Sequence, residues 1–281
     1  KLSNVTFLGG SIIKHGGQNP LEPARLGNYI ISGPNISNFR EIYTFLINNK
    51  VSSISSNALR IEKLINKNLN KIHILDSSEI SIFNLKNYLK YNLNPENQNK
   101  IIYHLTSINN KNIIGQLFKQ NNIDIVFHAA AYKHVDLAQE NLYSLINNNV
   151  FGTDRILQII KKNKIKKFVF ISSDKAVNPL GIMGITKKIG EYLTKFHLES
   201  TDIDYSIVRF GNVIKSSGSV IPLFIDQIKS GGPVTITHPD VSRYFMSSQM
   251  AAQLVLISST IFNSGNIFVL DMGSPFKIED L

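Results

Sequence analysis

The sequence predicts an α/β protein with a doubly wound parallel sheet, and two observations support this fold class. Short apolar runs rich in Ile, Val and Phe alternate with helical segments along the chain, which is typical of βαβ units. The most apolar of these runs, Phe168 to Ile171, is followed by Ser172, Ser173, Asp174 and Lys175. Because ligands bind at the carboxyl ends of the strands in an open α/β sheet, these polar residues mark a candidate reaction centre.

Composition and charge restrict the class of protein. The chain has 281 residues, 43% of them hydrophobic, and no cysteine, so we expect a globular fold without disulfides and predict no metal site. No apolar run reaches the length of a membrane span, so no membrane association is encoded in this chain. The net charge of +10 is dispersed, and its densest run, 161–167, has no interleaved aromatic residues for base stacking. We therefore expect no nucleic-acid partner, whereas an anionic nucleotide or an acidic membrane surface would suit the charge.

The first 70 residues predict short strands and helices around a glycine-rich segment. The strands are expected near 5–8, 29–31 and 51–54, and the helices near 39–48 and 59–69. Gly16 and Gly17 would let backbone amides approach a phosphate, and Glu22 could accept hydrogen bonds from ribose hydroxyls. The simpler interpretation is a glycine turn in which Asn19 caps a helix that begins at Pro20.

The motif GGSIIKHGGQNPLEPA, followed by GPNISNF, resembles the carboxyl-terminal half of the Kdo (3-deoxy-D-manno-octulosonic acid) transferases of lipopolysaccharide synthesis. The resemblance implies a partial GT-B-type segment over 1–70, with a vestigial sugar-nucleotide donor site at Ser11, Asn19 and Glu22. It does not imply transferase activity, because the half that should hold the acceptor and the general base is absent.

A different pattern begins at Lys71, with a strand over 72–75 that leads into Asp76 and Ser77. An acidic residue at the end of the second strand of a dinucleotide-binding fold hydrogen-bonds the adenosine ribose, and a helix cap is the alternative role. Such a fold carries a glycine-rich phosphate loop about twenty residues upstream, and none is present there. The first strand and its loop are therefore predicted to be missing, which would leave a vacant slot that Val5 to Leu8 could fill.

The middle of the chain predicts a strand over 101–105, a helix near 113–120, a strand over 123–127 and a helix over 142–160. After the second of these strands, the small residues Ala129 and Ala130 would let a dinucleotide pass close to the backbone, and Lys133 follows them. His128 is interpreted as a core histidine with no chemical role. Asn149 on the long helix is either a partnered amide near the active site or a solvated side chain.

The last third predicts a helix over 185–196, a strand over 205–210, a helix over 248–261 and a strand over 267–270. Between the last two strands lie the substrate candidates Asn212, Ser219 and Arg243. Arginine suits a diphosphate because its planar guanidinium donates two aligned hydrogen bonds, although a lone arginine is commonly a surface ion-pair partner.

The motif SSDKAVNPLGIMGITK, together with HAAAYKHV and LDSSE, resembles the extended short-chain dehydrogenase/reductases, and within them the nucleotide-sugar 4,6-dehydratases of bacterial polysaccharide synthesis. The resemblance covers roughly 71–281. It implies a Rossmann-like NAD-binding domain with interleaved substrate-binding segments at about 212–246 and 272–281. Together with the first 70 residues, it suggests a chimera of two incomplete enzymes, joined near 70/71.

The resemblance implies NAD as the cofactor, in preference to NADP, and a nucleotide-diphosphate sugar of the UDP-N-acetylglucosamine class as the substrate. It also implies a cytoplasmic location, at the inner face of the membrane in a full-length parent, and it is compatible with a homo-oligomer. The cofactor site it implies comprises Asp76, Ser77, Ala129, Ala130, Lys133, Asn149 and Lys187.

The dehydratase reaction oxidises C4 of the hexose transiently, removes the C5 proton, and expels the C6 hydroxyl as water before the hydride returns to C6. It therefore needs an acid and a base side by side, which Asp174 and Lys175 could supply, while Ser173 could hydrogen-bond the C4 hydroxyl. Met183 stands where short-chain dehydrogenases usually have the tyrosine of a Tyr-xxx-Lys pair, and Lys187 is retained. One branch of the 4,6-dehydratases has the same methionine, so the resemblance is narrowed to that branch. A nucleotide-sugar epimerase and a nucleotide-binding remnant without turnover are the alternatives, and Kdo transfer ranks last.

Overall fold

The computed structural model describes the backbone of 5–8, 29–32 and 52–54, and then residues 70–134, 139–163, 165–214, 220–236, 238, 240–260, 264–269, 272 and 274–280. The chain divides into two compact units. One comprises 1–107 with 260–262, and the other comprises 108–259 with 263–281. Among the described residues, no helix is both long enough and apolar enough to cross a membrane.

The first unit contains two small parallel sheets. One has the order β1 (Val5–Leu8), β2 (Tyr29–Ser32) and β3 (Ser52–Ile54). The other pairs β4 (Ile72–Asp76) with β5 (Ile101–Leu105), and the helices α1 (Glu79–Asn92) and α2 (Pro95–Gln98) lie between them in sequence. The expectation that Val5 to Leu8 fills a slot beside β4 is wrong, because among the described strands β1 belongs to the sheet of β2 and β3, whereas β4 pairs with β5 in a separate sheet.

The second unit is organised around a four-stranded parallel sheet with the order β12 (Asn266–Val269), β8 (Asp204–Arg209), β7 (Lys167–Ile171) and β6 (Ile125–His128). Its first elements are α3 (Lys111–Gln120), β6 (Ile125–His128), α4 (Leu142–Ile146), a π-helical segment (Asn147–Gly152), α5 (Thr153–Ile160), β7 (Lys167–Ile171), a 3-10 turn (Asp174–Ala176), α6 (Ile182–Leu198) and β8 (Asp204–Arg209). The remaining elements are β9 (Asn212–Val213), α7 (Val220–Lys229), β10 (Ser242–Arg243), β11 (Phe245–Met246), α8 (Ser248–Thr260), β12 (Asn266–Val269), β13 (Phe276–Lys277) and a 3-10 turn (Ile278–Asp280).

The centre of this unit is β7, whose apolar residues Phe168 and Val169 are fully buried. Leu157 of α5, Leu198 of α6 and Val208 of β8 are also fully buried. A parallel strand with neighbours on both edges and helices over the sheet buries both of its faces, so its sequence is a continuous apolar run. The α/β class and the parallel arrangement predicted from the sequence are therefore confirmed.

β4 and β6 each have a single hydrogen-bonded neighbour among the described strands. β4 pairs with β5, and β6 pairs with β7. Ile125 and Phe127 of β6 are 39% and 41% exposed, although both are apolar. A missing neighbour strand would leave backbone N–H and C=O groups of β6 unpaired, whereas the exposure of its side chains depends on the helices that cover the face of the sheet. The absence of the first strand stays a prediction.

The predicted helix over 142–160 is interrupted in the structure. Its middle part, Asn147–Gly152, is π-helical, with α4 before it and α5 after it. π-helical segments are rare, and they occur often at functional sites because the extra residue per turn redirects a side chain. Asn149 lies within this segment.

Candidate active site

The site lies where β7 ends and the chain enters a short 3-10 turn. Ser173 begins that turn with extended backbone angles, and its hydroxyl oxygen accepts a hydrogen bond from the Lys175 backbone N–H at 3.3 Å. The Asp174 N–H donates to the Phe210 carbonyl oxygen at 3.2 Å, which ties this turn to the residues that follow β8. The turn is therefore held against the neighbouring strand end.

Four polar side chains meet at this place. The Ser173 hydroxyl donates to Asp174 Oδ1 at 2.8 Å. The Lys175 ammonium donates to Asp174 Oδ1 and to Asn212 Oδ1, both at 3.2 Å. The side chains of Lys175 and Asp174 are 35% and 28% exposed, so both are accessible to a ligand without being freely solvated. The structure thus brings Ser173, Asp174 and Lys175 together with Asn212, which the sequence analysis had identified only as a substrate candidate.

Asn212 is held by its own short strand. β9 pairs in parallel with β11, with Asn212 opposite Phe245. The Asn212 N–H donates to the Tyr244 carbonyl oxygen at 3.0 Å. The side-chain amide that accepts the hydrogen bond from Lys175 is therefore positioned by a strand with backbone hydrogen bonds.

Lys187 approaches the same strand end from α6. Its ammonium donates to the Ile171 carbonyl oxygen at 2.7 Å and lies 5.1 Å from the centre of the Phe170 ring. Burial lowers the pKa of Lys187 to about 8, and the Glu191 carboxylate opposes this shift. Met183, one helical turn earlier, is also buried, and its thioether cannot exchange a proton.

Asn149 is a partnered amide. Its side-chain oxygen accepts from the Tyr132 N–H at 2.7 Å, and its side-chain nitrogen donates to the Tyr132 carbonyl oxygen at 2.9 Å and to Thr186 Oγ1 at 3.1 Å. The side chain is 3% exposed. Both amide hydrogens are therefore donated within the chain, and Asn149 connects the segment after β6 to α6.

His128 is a buried neutral histidine. Burial and, to a smaller extent, the Lys187 charge lower its pKa to about 3. The Thr153 hydroxyl donates to the Asn149 carbonyl oxygen, so it accepts a hydrogen bond from His128 Nε2 at 2.9 Å. This arrangement agrees with the interpretation of a core histidine without a chemical role.

The remaining cofactor candidates in the second unit follow β6. Ala129 and Ala130 are exposed at the carboxyl end of that strand, where their small side chains leave the backbone accessible. Lys133 is also exposed, and partial burial of its ammonium lowers its pKa. These features fit a flat ligand that lies against the strand end.

In the first unit, Asp76 and Ser77 are exposed at the carboxyl end of β4. Asp76 Oδ1 accepts a hydrogen bond from the Ser78 N–H at 2.7 Å, and Ser78 caps α1. The carboxylate thus helps to start the helix, which is the alternative role that the sequence allowed.

Of the substrate candidates, Arg243 is half-buried in β10, which pairs antiparallel with β13, and its guanidinium donates to the Ser242 carbonyl oxygen at 2.9 Å. Ser219 and the proposed donor-site residues Ser11, Asn19 and Glu22 lie outside the described residues. Among the residues that the structure describes, no cluster of three or more His, Asp or Glu side chains could hold a metal ion.

A buried ion pair beside the site was not predicted from the sequence. Glu191 Oε1 accepts hydrogen bonds from the Ser172 hydroxyl at 2.6 Å and from Arg209 Nε at 2.7 Å. Glu191 Oε2 accepts a hydrogen bond from Arg209 Nη2 at 2.5 Å. Hydrogen bonding to Glu191 raises the pKa of Arg209. The available signal was a glutamate one helical turn after Lys187 on the same face of the helix.

Residues 51–281 match the sequence family described as polysaccharide biosynthesis protein. The capsular polysaccharide biosynthesis protein CapD of Staphylococcus aureus is 50% identical over 157 residues, which are 56% of this chain and 26% of that protein. An uncharacterized membrane protein of Methanocaldococcus jannaschii is 38% identical over 249 residues, 88% of this chain and 71% of that protein. The UDP-glucose 4-epimerase of Rickettsia rickettsii is 43% identical over 147 residues, 51% of this chain and 43% of that protein. The chain thus spans about a quarter of the CapD protein and under half of the epimerase.

Solved structures share the fold. The protein Pen from Bacillus thuringiensis matches with a TM-score of 0.69 and 31% identity, over 78% of this chain and 66% of that chain. The dTDP-glucose 4,6-dehydratase DesIV from Streptomyces venezuelae, solved with NAD and DAU bound, matches with a TM-score of 0.66 and 17% identity, over 78% of this chain and 73% of that chain.

Proposed function

We propose, because this chain belongs to the polysaccharide biosynthesis protein family, that it is a nucleotide-sugar 4,6-dehydratase that acts on a substrate of the UDP-N-acetylglucosamine class. One observation supports this reaction above the others. The Lys175 ammonium lies between the Asp174 carboxylate and the Asn212 amide, 3.2 Å from each, at the carboxyl end of a central parallel strand. An acid and a base on neighbouring residues are what β-elimination of water from a 4-keto sugar needs.

In this proposal the Lys175 ammonium first passes a proton to the Asp174 carboxylate, so that the neutral amine removes the C5 proton and the protonated carboxyl delivers a proton to the departing C6 hydroxyl. Ser173 and Asn212 position the sugar and the Lys175 side chain. Ser173 already hydrogen-bonds Asp174, and Asn212 already hydrogen-bonds Lys175. Arg243 and Ser219 are proposed to bind the diphosphate or the sugar, as planar guanidinium and hydroxyl groups can.

The cofactor is proposed to be NAD, which would accept the C4 hydride and return it to C6. Lys187 would bind the nicotinamide ribose, and Lys133 would lie near the diphosphate of the cofactor. Ala129 and Ala130 would allow the dinucleotide to lie close to the backbone. Asp76 and Ser77 would bind the adenosine ribose. Asn149 would act by fixing the segment after β6, because its amide is already fully engaged.

The proposed reaction is tested by incubating the purified chain with NAD and UDP-N-acetylglucosamine and analysing the sugar by NMR. We expect a 4-keto-6-deoxy product. Replacing Lys175 by alanine should reduce turnover by roughly a hundredfold or more, as loss of a general base does. Lys195→Ala is the matched control, because that lysine is 60% exposed on α6 and pairs with Glu199. An unchanged rate in Lys175→Ala would refute the assigned base.

A second candidate is a nucleotide-sugar 4-epimerase. It is favoured by the relative named UDP-glucose 4-epimerase, which is 43% identical over 147 residues. The same product analysis separates the two reactions, because an epimerase would release a 4-hydroxyl sugar that keeps the C6 oxygen. A third outcome, a rise in melting temperature with NAD and nucleotide sugar but no product, would identify a nucleotide-binding remnant.

We further propose that residues 1–70 are a partial Kdo-transferase-like segment joined to an incomplete dehydratase. The family match begins at residue 51, so it includes residues before the predicted boundary at 70/71. A contiguous read of the source DNA across this boundary tests the proposal. A single uninterrupted reading frame in independent isolates would show a natural fusion, and an interrupted one would show an artificial junction.

A further inference from the structure

Glu191 is a buried carboxylate that joins three elements on the side of the candidate active site. It lies on α6 and is 4% exposed. Its oxygens accept hydrogen bonds from the hydroxyl of Ser172, which directly follows β7, and from Nε and Nη2 of Arg209. Arg209 is the last residue of β8. The side chain therefore connects a helix to the ends of two adjacent strands.

These two strand ends lead directly into the site residues. Ser172 precedes Ser173, Asp174 and Lys175, and Arg209 comes three residues before Asn212. A change in the separation of the two strand ends would therefore shift the backbone that carries Lys175 and Asn212, whose ammonium and amide oxygen are 3.2 Å apart.

A contribution to stability alone does not explain the Glu191–Arg209 ion pair well. Moving a carboxylate and a guanidinium out of water costs several kcal/mol, and apolar side chains of similar volume often stabilise a protein interior as well or better. Bidentate geometry, by contrast, fixes the relative position of the elements that carry the two groups. The contact geometry of Glu191 therefore favours a role in alignment.

We infer that Glu191 is a positioning residue of the candidate active site, which holds the ends of β7 and β8 so that Lys175 meets Asn212. The catalytic consequence rests on the proposed function, whereas the alignment does not. The Glu191 charge also acts on Lys187, because it opposes the loss of that ammonium's proton. Among the described residues, the other titratable side chains that act on Glu191, Lys187 or Arg209 are Lys188 on α6, 3.7 Å from Glu191, Tyr192 on α6, which acts on Arg209, and the neutral His128 on β6.

The first test measures kcat and KM of Glu191→Gln, which preserves the shape of the side chain but removes its charge. We expect kcat to fall by about tenfold to a hundredfold, because small displacements of reacting groups have effects of this size, while KM changes little. Glu199→Gln is the matched control. It is the same substitution at the end of the same helix, at a side chain that is 63% exposed, and it should leave kcat unchanged.

The second test needs no turnover. In a chain labelled with ¹³C at lysine Cε and ¹⁵N at asparagine, NMR follows the titration of Lys187 and the side-chain amide signal of Asn212. We expect Glu191→Gln to lower the pKa of Lys187 below its value of about 8 and to shift the Asn212 signal. Glu199→Gln should alter neither.

Ser172→Ala serves as the second variant if Glu191→Gln does not fold. It removes the 2.6 Å hydrogen bond and keeps the pair with Arg209. We expect a several-fold fall in kcat and a shifted Asn212 signal. If the Asn212 side-chain signal does not shift in the folded variants, the inference is refuted, whether or not the wild-type chain has activity. A wild-type chain without turnover but with the expected NMR shifts refutes the proposed function and leaves the positioning role supported.

Discussion

Lys187 is one residue through which pH should act on this protein. Burial lowers its pKa from 10.5 to about 8 in the folded state. The unfolded chain therefore binds more protons than the folded chain between these two values, so the free energy of unfolding should rise with pH across this window. We expect urea denaturation at a series of pH values to show this rise. Lys187→Met should remove the Lys187 part of the slope, and an identical slope in both proteins would contradict the burial of a charged ammonium.

The titration of Lys187 should also affect ligand binding. Above about pH 8 the amine is neutral and its hydrogen bonds weaken, since a charged donor forms the stronger bond. If Lys187 holds the nicotinamide ribose, the affinity for NAD should fall by about fivefold as the proton is lost. Isothermal titration calorimetry at two pH values measures this change. Lys195, which is 60% exposed, provides the control through Lys195→Met, which should keep the wild-type pH dependence.

Asn149 provides a stability prediction at a single side chain. Its replacement by alanine would leave the Tyr132 backbone N–H without its partner and cost about 2–3 kcal/mol of unfolding free energy. Denaturant unfolding measures this loss. Asn148→Ala is the graded control, because it removes one 3.1 Å hydrogen bond to Asn149 and leaves the bonds to Tyr132 in place. An equal loss of unfolding free energy in both variants would show that the hydrogen bonds to Tyr132 do not account for the stabilising effect of Asn149.

The sequence predicted the residues that meet at the site better than the residues that hold them. Ser173, Asp174 and Lys175 were identified because they follow an apolar strand, which is a local and periodic signal. Glu191 was missed because its partners Ser172 and Arg209 lie 19 and 18 residues away on other elements. No periodicity in one segment encodes such a pairing, which only the packing of α6 on the sheet creates.

At the scale of elements, α6 is packed closely against the 3-10 turn of the site. A Cβ atom added at Gly184 would lie 2.5 Å from the Lys175 carbonyl oxygen, and this backbone atom cannot move without displacing the turn. We expect Gly184→Ala to reduce turnover by at least roughly tenfold. Gly181→Ala is the matched control, since a Cβ at that position meets nothing within 4 Å. Equal activity of both variants would show that the position of the turn is not critical.

The helix that carries Asn149 shows what element prediction cannot recover. The apolar spacing over 142–160 predicts one helix, but the structure contains the π-helical segment Asn147–Gly152 in its middle. One additional residue in a turn changes the helical phase without changing the composition. The change places Asn149 where it reaches both Tyr132 and Thr186, and this requirement comes from tertiary contacts.

At the scale of the whole molecule, the parallel α/β class followed from the alternation of apolar runs and helices, and the sheet order β12-β8-β7-β6 confirms it for the second unit. The pairing of Val5–Leu8 was predicted wrongly, because a short apolar run does not specify which strand it joins. Strand choice depends on contacts far apart in sequence, and these are the contacts that local patterns do not encode.

The surface of α6 gives a prediction for the assembly. Ile185, Ile189, Tyr192 and Phe196 are spaced by four, three and four residues, so they share one face of the helix. They are 42%, 36%, 62% and 77% exposed, although the opposite face of the helix is buried in the core. A continuous exposed apolar stripe on a packed helix indicates an interaction surface. A second copy of the chain would fit it, because a two-fold axis places the stripe against itself.

We therefore expect the protein to sediment as a dimer, and Phe196→Glu to shift it towards the monomer, since two like charges would then face each other across the axis. Tyr91→Glu is the matched control, because Tyr91 is an aromatic residue on α1 that is 84% exposed and lies outside the stripe. It should leave the sedimentation coefficient unchanged. A wild-type chain that stays monomeric at every concentration, or a Phe196→Glu variant that stays dimeric, would show that this face is not the contact between copies.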